Sequence, residues 1–272
     1  MNTGENPAAE PTMTYVYAVG REGTPVQAAL PGRPGLEGAP LRTVGAAGLI
    51  ALVSSVPAAT YGTEGMQARM EDLERLEALA RDHHRVVEDG CAHATVLPMR
   101  LATVYLDDER VRQLLTDRRR EFTALLEHLE GHVELGVKVY ADPRAAAPPA
   151  DSAPAPAADG PGRAYLRQRR AQRQHHQDAY RAAGAVAAEV PARVAGFVSD
   201  HVSHRPQQGE LATGAGENIA NEAYLVPVDQ VPAFRAALAG IADGTPGVRV
   251  EITGPWAPYS FSTPPPVPAG GV

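Results

Sequence analysis

The residues best suited to chemistry lie in a short histidine-containing stretch in the first half of the chain. His84 and Glu88 are four residues apart, so one helical turn would place the imidazole and the carboxylate on one face, and His83 and His93 are close in sequence. Imidazole and carboxylate groups bind divalent metals. The stretch lacks a cysteine pair, a glutamate between spaced histidines and a second ligand cluster. The sequence therefore favours capping, packing and helix-surface roles over a metal or ligand site.

Covalent catalysis has little support in the sequence. Cys91 and His93 are two residues apart on one segment, a spacing that rarely gives nucleophile–base geometry, and no third orienting group accompanies them. A buried, unreactive cysteine is the favoured interpretation. The chain has no Gly-x-Ser-x-Gly elbow and no Gly-x-x-x-x-Gly-Lys-Ser/Thr loop, and the glycines of residues 32–38 lack a Rossmann context. We therefore predict a non-enzymatic protein without catalytic, cofactor-binding or metal-binding residues.

A basic run occupies residues 163–173 and is followed by two histidines. Arginines in such a run contact phosphates in nucleic-acid-binding proteins. The formal net charge of the chain is −7, however, and no known nucleic-acid module surrounds the run. A solvated helix face or a surface for an acidic partner is therefore favoured over DNA or RNA binding, which stays as an alternative. The basic residues are Arg163, Arg167, Arg169, Arg170 and Arg173, then His175 and His176.

An aromatic segment near the C-terminus differs in kind from these charged stretches. Residues 254–261, Gly-Pro-Trp-Ala-Pro-Tyr-Ser-Phe, hold the only tryptophan, Trp256, together with Tyr259 and Phe261. Prolines hold these side chains directly after a predicted strand. The favoured interpretation is an aromatic plug that closes the end of the second domain. Rigid aromatics also serve as anchors in protein interfaces, and the two roles are compatible.

The elements that position these residues in the first half follow an α+β pattern. Pro98 cannot donate to a ladder, so it predicts an edge or a bulge in its strand. The whole order approaches a ferredoxin-like βαββαβ unit whose first helix is reduced to a loop. Apolar spacing predicts a strand over residues 14–19, a Gly/Pro-rich loop, a hairpin over residues 41–54, a helix over residues 66–87, a strand over residues 95–105, a helix over residues 107–129 and a strand over residues 132–140.

The second half predicts a separate α+β domain that begins with a long helix, in which Pro191 should cause a kink or a break. After the helix we predict a polar loop over residues 204–216, strands over residues 223–228 and 248–253, and a helix over residues 231–242. The predicted organisation is a disordered arm (residues 1–13), a ferredoxin-like domain (residues 14–142), a Pro/Ala-rich linker (residues 143–162), a C-terminal α+β domain with long helical segments (residues 163–262) and a disordered tail (residues 263–272).

Composition limits the setting in which the protein acts. The single cysteine excludes a disulfide framework and fits a reducing cytoplasm. The chain has no apolar core of a signal peptide and no run of about 18 apolar residues. We therefore expect neither secretion by that route nor a membrane span.

Several motifs, in order along the chain, carry a family resemblance. The central one joins His84 and Glu88 to Thr-Val-Leu-Pro-Met-Arg at residues 95–100, which includes Pro98 and Arg100. The others are Thr-Tyr-Val-Tyr (residues 14–17), Gly-His-Val-Glu-Leu-Gly-Val-Lys-Val (residues 131–139), Gly-Arg-Ala-Tyr-Leu (residues 162–166), Asn-Glu-Ala-Tyr-Leu-Val (residues 221–226) and the aromatic segment at residues 254–261. Together they resemble the gas vesicle proteins of the GvpL/GvpF family. Two departures stand out: residues 101–105 are Leu-Ala-Thr-Val-Tyr where the family usually has Phe-Gly-Thr-Val-Phe, and Pro191 is unexpected in its long C-terminal helices.

The resemblance implies an accessory or minor structural protein of gas vesicle assembly, with a ferredoxin-like N-terminal domain. Gas vesicles are hollow shells built mainly from a small, very apolar protein, whose subunits expose apolar surface before assembly. A cytoplasmic protein that binds this shell subunit and other vesicle proteins would act without enzymatic chemistry, nucleic acid or membrane. The family-motif positions expected to matter for interactions are Trp256, Tyr259, Phe261, Pro98, Arg100, His84 and Glu88. The alternative is an α+β ligand- or metal-binding protein that uses His83, His84, Glu88 and His93.

Overall fold

The computed structural model of the protein describes residues 10–145, 161–206 and 216–263, without the side chains of residues 161–168. It is a mixed α/β structure with antiparallel sheets. The chain divides into two compact units: Met1–Gly131 together with Trp256–Val272, and His132–Pro255. The arm, linker, loop and tail that we predicted fall largely outside the described residues. No helix in the described part of the chain has the length and apolar character needed to cross a membrane.

The first unit is built on a sheet whose strand order is β2-β3-β1-β4, with β5 also paired to β1. Every described pairing in this sheet is antiparallel. In this order the first strand lies between the third and the fourth. The elements are β1 (Thr12–Arg21), α1 (Val26–Ala29), β2 (Arg42–Ala46), β3 (Leu49–Pro57), α2 (Ala58–Tyr61), α3 (Thr63–Glu71), α4 (Leu73–Cys91), β4 (Val96–Pro98), β5 (Val104–Tyr105), α5 (Asp108–Asp117) and α6 (Arg119–Leu129).

Local sequence explains the main features of this unit. The aromatic and β-branched residues of β1 suit a buried central strand, and its residues 14–20 are all buried. The β2–β3 hairpin turns at Ala47 and Gly48, whose φ angles are both positive (54° and 79°), as the twist of a two-residue hairpin requires. Gly131, with φ 73°, follows α6 and matches the predicted helix C-terminus.

Three predicted elements of this unit are divided in the structure. The helix over residues 66–87 is two helices, because Asp72 leaves the helical conformation and caps α4 by accepting a hydrogen bond from the Arg75 backbone amide (3.1 Å). Similarly, α5 and α6 replace one helix over residues 107–129 and meet at Arg118. The strand over residues 95–105 is β4 and β5 with a turn between them. As Pro98 predicted, β4 lies at the edge of its sheet path.

The second unit has a four-stranded sheet with the order β7-β8-β6-β9. Here again the first strand lies beside the third and the fourth. The apolar core lies between one face of the sheet and the helices, and includes Leu135, Val137, Val190, Tyr224 and Phe234. The elements are β6 (His132–Ala141), α7 (Pro161–Val194), β7 (Asp200–His204), β8 (Glu217–Pro227), α8 (Val231–Leu238) and β9 (Val248–Trp256).

The strand over residues 132–141 belongs to the second unit, whereas we had assigned it to the first domain. It pairs with β8 along its whole length, from His132 opposite Pro227 to Ala141 opposite Glu217. Alternating apolar residues predict that a strand exists but do not say which sheet it joins, and this explains the displaced boundary. Pro191 does not divide α7, which continues through it and ends at Val194. The short edge strand β7 had no counterpart in our prediction.

Candidate functional site

A hydrogen-bonded network inside the first unit fixes the central family motif. His83, on α4, is buried, with Nδ1 2.9 Å from the Tyr15 hydroxyl and Nε2 3.1 Å from the Met99 carbonyl oxygen. Because a carbonyl oxygen only accepts, Nε2 carries the proton and Nδ1 accepts from Tyr15. The Tyr15 oxygen in turn accepts from the Ala102 backbone amide (3.0 Å). Burial lowers the pKa of His83 to about 4, so its ring is neutral at pH 7 and acts as a structural link.

Tyr17 extends this network along β1. Its hydroxyl lies 2.7 Å from the Ser54 hydroxyl and accepts a hydrogen bond from the Leu36 backbone amide (2.8 Å). Its ring stacks on His83, with 5.7 Å between the ring centroids. Residues i and i+2 of a strand face the same side, so Tyr15 and Tyr17 both reach α4. Burial raises the pKa of both phenols, which stay neutral.

The motif residues Pro98 and Arg100 lie in the turn held by this network. Pro98 is buried and pairs with Ala18 of β1. The Arg100 side chain is exposed, and its backbone carbonyl accepts from the Thr103 amide (3.2 Å) and hydroxyl (2.6 Å). Ala102 has a positive φ of 64°, a conformation that costs a residue with a Cβ atom about 1–2 kcal/mol. The turn is therefore tight and strained.

His84, Glu88, Trp256 and Tyr259 form an aromatic patch on the surface of the same unit. His84 Nε2 lies 3.0 Å from a Glu88 carboxylate oxygen. Its ring centroid is 5.7 Å from that of Trp256 and 5.8 Å from that of Tyr259. Tyr259 also approaches the buried His83 ring (6.2 Å), while Trp256 is 43% exposed. The patch thus presents the exposed Trp256 side chain next to His84 and Tyr259, and Tyr259 packs against the core.

The predicted aromatic plug exists, but it packs on the first unit rather than closing the second. From Trp256 onward the chain belongs to the first unit, where Ala257 and Tyr259 contact the hydrophobic core. Phe261 is buried as well. Because the motif directly follows a strand of the second domain, we expected it to pack on that domain. Instead, β9 ends at the point where the chain returns to the first unit. Trp256 is therefore the exposed member of the three aromatic side chains.

The remaining chemical candidates stay apart from one another. The Nδ1 atom of His93 lies 2.7 Å from the Asp89 backbone carbonyl, and His83 is held by Tyr15 and Met99. Burial raises the pKa of the Cys91 thiol to about 11, so thiolate is scarce at neutral pH. Within residues 10–145, 161–206 and 216–263, no three His, Cys, Asp or Glu side chains gather in a way that could hold a metal ion.

Comparison with known proteins decides the family. The model of the family described as "Gas vesicle synthesis protein GvpL/GvpF" matches residues 13–263. The chain belongs to the GvpL/GvpF family. Its relatives include gas vesicle protein L of Streptomyces sp. (strain CB03234), 39% identical over 251 residues that cover 92% of each chain, and gas vesicle protein F2 of Halobacterium salinarum, 27% identical over 70% of each chain.

Two solved structures have the same fold as this GvpL/GvpF-family chain. The crystal structure of GvpF from Anabaena sp. PCC7120 matches with a TM-score of 0.63 and 18% identity, covering 93% of this chain and 97% of that one. The structure of GvpF from Microcystis aeruginosa gives a TM-score of 0.62 and 19% identity, with coverage of 92% and 99%. At these identities the likeness concerns the fold alone.

The structure shows the backbone cost of one departure from the family motif and reveals residues that the sequence analysis missed. Ala102 stands where the family usually has glycine, at a backbone conformation that glycine adopts without strain. Tyr15 and Tyr17 were named only as part of the first strand and its Thr-Tyr-Val-Tyr motif, and Ser54 only as part of the hairpin. The alternating tyrosines of β1 were the available signal, because buried phenols need hydrogen-bond partners, but the identity of those partners depends on tertiary packing.

Proposed function

We propose that this GvpL/GvpF-family protein supports gas vesicle assembly by binding the apolar shell subunit, with other vesicle proteins as further partners, and without enzymatic chemistry. The observation that carries the proposal is the aromatic patch. Trp256 is 43% exposed although its ring lies against His84, whose other neighbour, Tyr259, packs on the core. A large aromatic side chain held in place loses little conformational entropy on binding, which makes it a good anchor.

A stripe of residues on α4 enlarges the surface that such a partner would meet. Leu73, Ala80 and His84 are spaced i, i+7 and i+11, so they lie on one face of the helix over about 16 Å, and this face also carries Glu77 in its ion pair with Arg81. Leu73 is 71% exposed, and the nearby Met70 is 55% exposed. Exposed apolar side chains of this kind mark interaction surfaces. They suit a subunit that is itself apolar before it enters the shell.

The remaining parts of the proposal concern location and partners, and they follow from the family. We infer a location in the cytoplasm and at gas vesicles, and no nucleic-acid or membrane partner. The ligand- or metal-binding alternative is not favoured, because His83 and His93 are each engaged with backbone carbonyls rather than directed at a common point. Pro98 and Arg100 then serve the patch indirectly, through the turn that the His83 network holds.

A co-expression pull-down with the major shell protein tests the proposal. Wild-type chain is expected to capture the shell protein, and Trp256→Ala to reduce capture by about fivefold or more, as for an anchor residue. Val228→Ala is the matched control, because Val228 is an exposed apolar residue of the second unit (56% exposed). Circular dichroism shows whether each variant is folded.

Leu73→Ala separates the stripe from the patch. If the stripe contributes, this variant loses part of the capture while Val228→Ala keeps it. Equal capture by wild type, Trp256→Ala and Leu73→Ala would place shell binding elsewhere on the molecule. Failure of the wild-type chain to capture the shell protein would overturn the proposed interaction.

A further inference from the structure

Part of α7 lies outside the apolar core of the second unit. The helix has 34 residues, and among its residues 169–194, whose side chains the structure describes, the buried ones begin at Ala179 and continue through Ala183 to Val194. From residue 169 to residue 178 every side chain is exposed except His175, which is half-buried. We call residues 169–178 the basic arm.

The arm concentrates positive charge in an acidic protein. Residues 163–173 contain five arginines and no acidic residue, and the whole chain has a formal net charge of −7, so the remainder carries −12. The first acidic residue after the run, Asp178, is 2.8 Å from Arg181, which follows it along α7. Among the residues that the structure describes, Arg170 and Arg173 form no ion pair.

This placement of charge is unfavourable within the chain itself. Arg170 and Arg173 are spaced i and i+3, so their like charges repel along the helix. Their side chains lie outside the core, so packing adds little stability to offset this repulsion. An anionic partner would relieve it.

We propose that the basic arm binds an acidic helical segment of a partner protein. Glutamates spaced three and four residues apart on a second helix match the spacing of the arginines on the arm. Nucleic acid fits less well, because two rings beside the arginines, His176 and Tyr180, stack on each other with centroids 4.8 Å apart, and the Tyr180 hydroxyl donates to Glu217. Neither of these two rings is a free platform for bases.

The acidity of the remainder supports the same choice. A long polyanion that passes beyond the arm meets a protein with a net negative charge and is repelled. A short acidic segment remains within the arm and gains from the arginines alone. The interaction does not depend on the proposed binding of the shell subunit, because the arm and the aromatic patch belong to different units.

The experiment uses the whole chain and a labelled alanine-based helical peptide of about 20 residues with glutamates at i and i+4 along one face. Fluorescence anisotropy at about 150 mM salt measures its binding. We expect Arg169→Gln/Arg170→Gln/Arg173→Gln to weaken binding about tenfold or more, since glutamine keeps helix propensity and removes the charge. The charge-matched control is Arg110→Gln/Arg119→Gln/Arg120→Gln, three exposed arginines of the first unit that should change affinity by less than about twofold.

Additional measurements distinguish among the possible partners of the basic arm. A peptide with glutamine in place of glutamate should not bind, and single-stranded DNA of similar length should bind more weakly than the acidic peptide. Hydrogen exchange should show that the acidic peptide slows exchange of amides in residues 169–178 and leaves residues 183–194 unchanged. Equal weakening by both triple variants, absence of binding by wild type, or tighter binding of DNA would overturn the proposal. So would self-association of wild type that the first triple variant abolishes, because it would assign the arm to a second copy.

Discussion

The two units have the same strand order but fill the space over their sheets differently. In the first unit β1 presents Tyr15 and Tyr17 to α4, which supplies His83, so polar groups are buried and hydrogen-bonded to one another. In the second unit β6 presents aliphatic residues such as Leu135 and Val137 to its core. Apart from the tyrosines, four polar side chains are buried in the described chain, and three of them belong to the first unit: Thr14, Ser54 and His83. Buried polar networks fix one arrangement at the cost of tolerance to change.

The first crossover also differs between the units. Between β1 and β2 the helical residues are the four of α1 and the three of a 3-10 helix at Leu36–Gly38, whereas after β6 the chain contains α7 with 34 residues. Each unit therefore displays a different surface on the same topology: a rigid aromatic patch on the first and a basic helix on the second. The same strand order thus supplies the scaffold in both units, while the helices and turns added to it give each unit a different surface.

The largest expected effect concerns pH. The pKa of His83 is about 4 in the folded protein and 6.5 when unfolded, so between these values the unfolded chain binds more protons. Stability is full above pH 6.5 and falls as pH decreases towards 4, by about 3 kcal/mol in total. The variant His83→Gln loses the pH dependence of stability that His83 causes and keeps the part caused by other titratable groups. Urea unfolding followed by the fluorescence of Trp256, the only tryptophan, reports on the first unit in both chains.

The quantity to compare between wild type and His83→Gln is the slope of the unfolding free energy against pH. A difference near zero from pH 6.5 to 4 would show that the ring charges inside the fold at little cost. That outcome would remove the main distinction between the polar core of the first unit and the apolar core of the second.

A matched pair of tyrosine substitutions gives the next largest effect. Tyr15→Phe leaves His83 Nδ1 and the Ala102 amide without their partner, so we expect a loss of about 2 kcal/mol of unfolding free energy. Tyr224→Phe makes the same chemical change in the second unit, where the hydroxyl is buried and has no hydrogen-bond partner in the described chain. It should be neutral or slightly stabilising, because it removes an unsatisfied polar atom. Urea unfolding of both variants measures the contrast, and equal losses would contradict it.

The sequence predicted the elements of both units better than it predicted their assembly. Periodicity identified β1, the β2–β3 hairpin and the apolar faces of the helices, because each depends on neighbours in sequence. It could not place residues 132–141 in the second sheet, since strand pairing is decided by contacts with β8 across about 85 residues of chain. Asp72 was an available signal for dividing a helix, because aspartate is a preferred N-cap.

The candidate site was predicted in part for the same reason. Trp256, Tyr259, His84 and Glu88 were named from motifs, and the structure brings all four together on one surface. Their position on the first unit was not predicted, because it depends on where the chain goes after β9. The roles of Tyr15 and Tyr17 required knowledge of which hydroxyl meets which ring, which no local pattern contains.

The smallest expected effect concerns backbone strain, which differs between the two units. The described non-glycine residues with positive φ are Glu37, Ala47 and Ala102, and all belong to the first unit. Ala102→Gly should stabilise the protein by about 0.5–1 kcal/mol, because relief of a positive φ outweighs the added freedom of glycine in the unfolded chain. Ala188→Gly, at an exposed position inside α7, should instead destabilise by about 1 kcal/mol. Opposite signs in urea unfolding are expected. Destabilisation by Ala102→Gly would mean that its methyl group, rather than its hydrogen bond to Tyr15, holds the turn, and the family's usual glycine would then need another explanation.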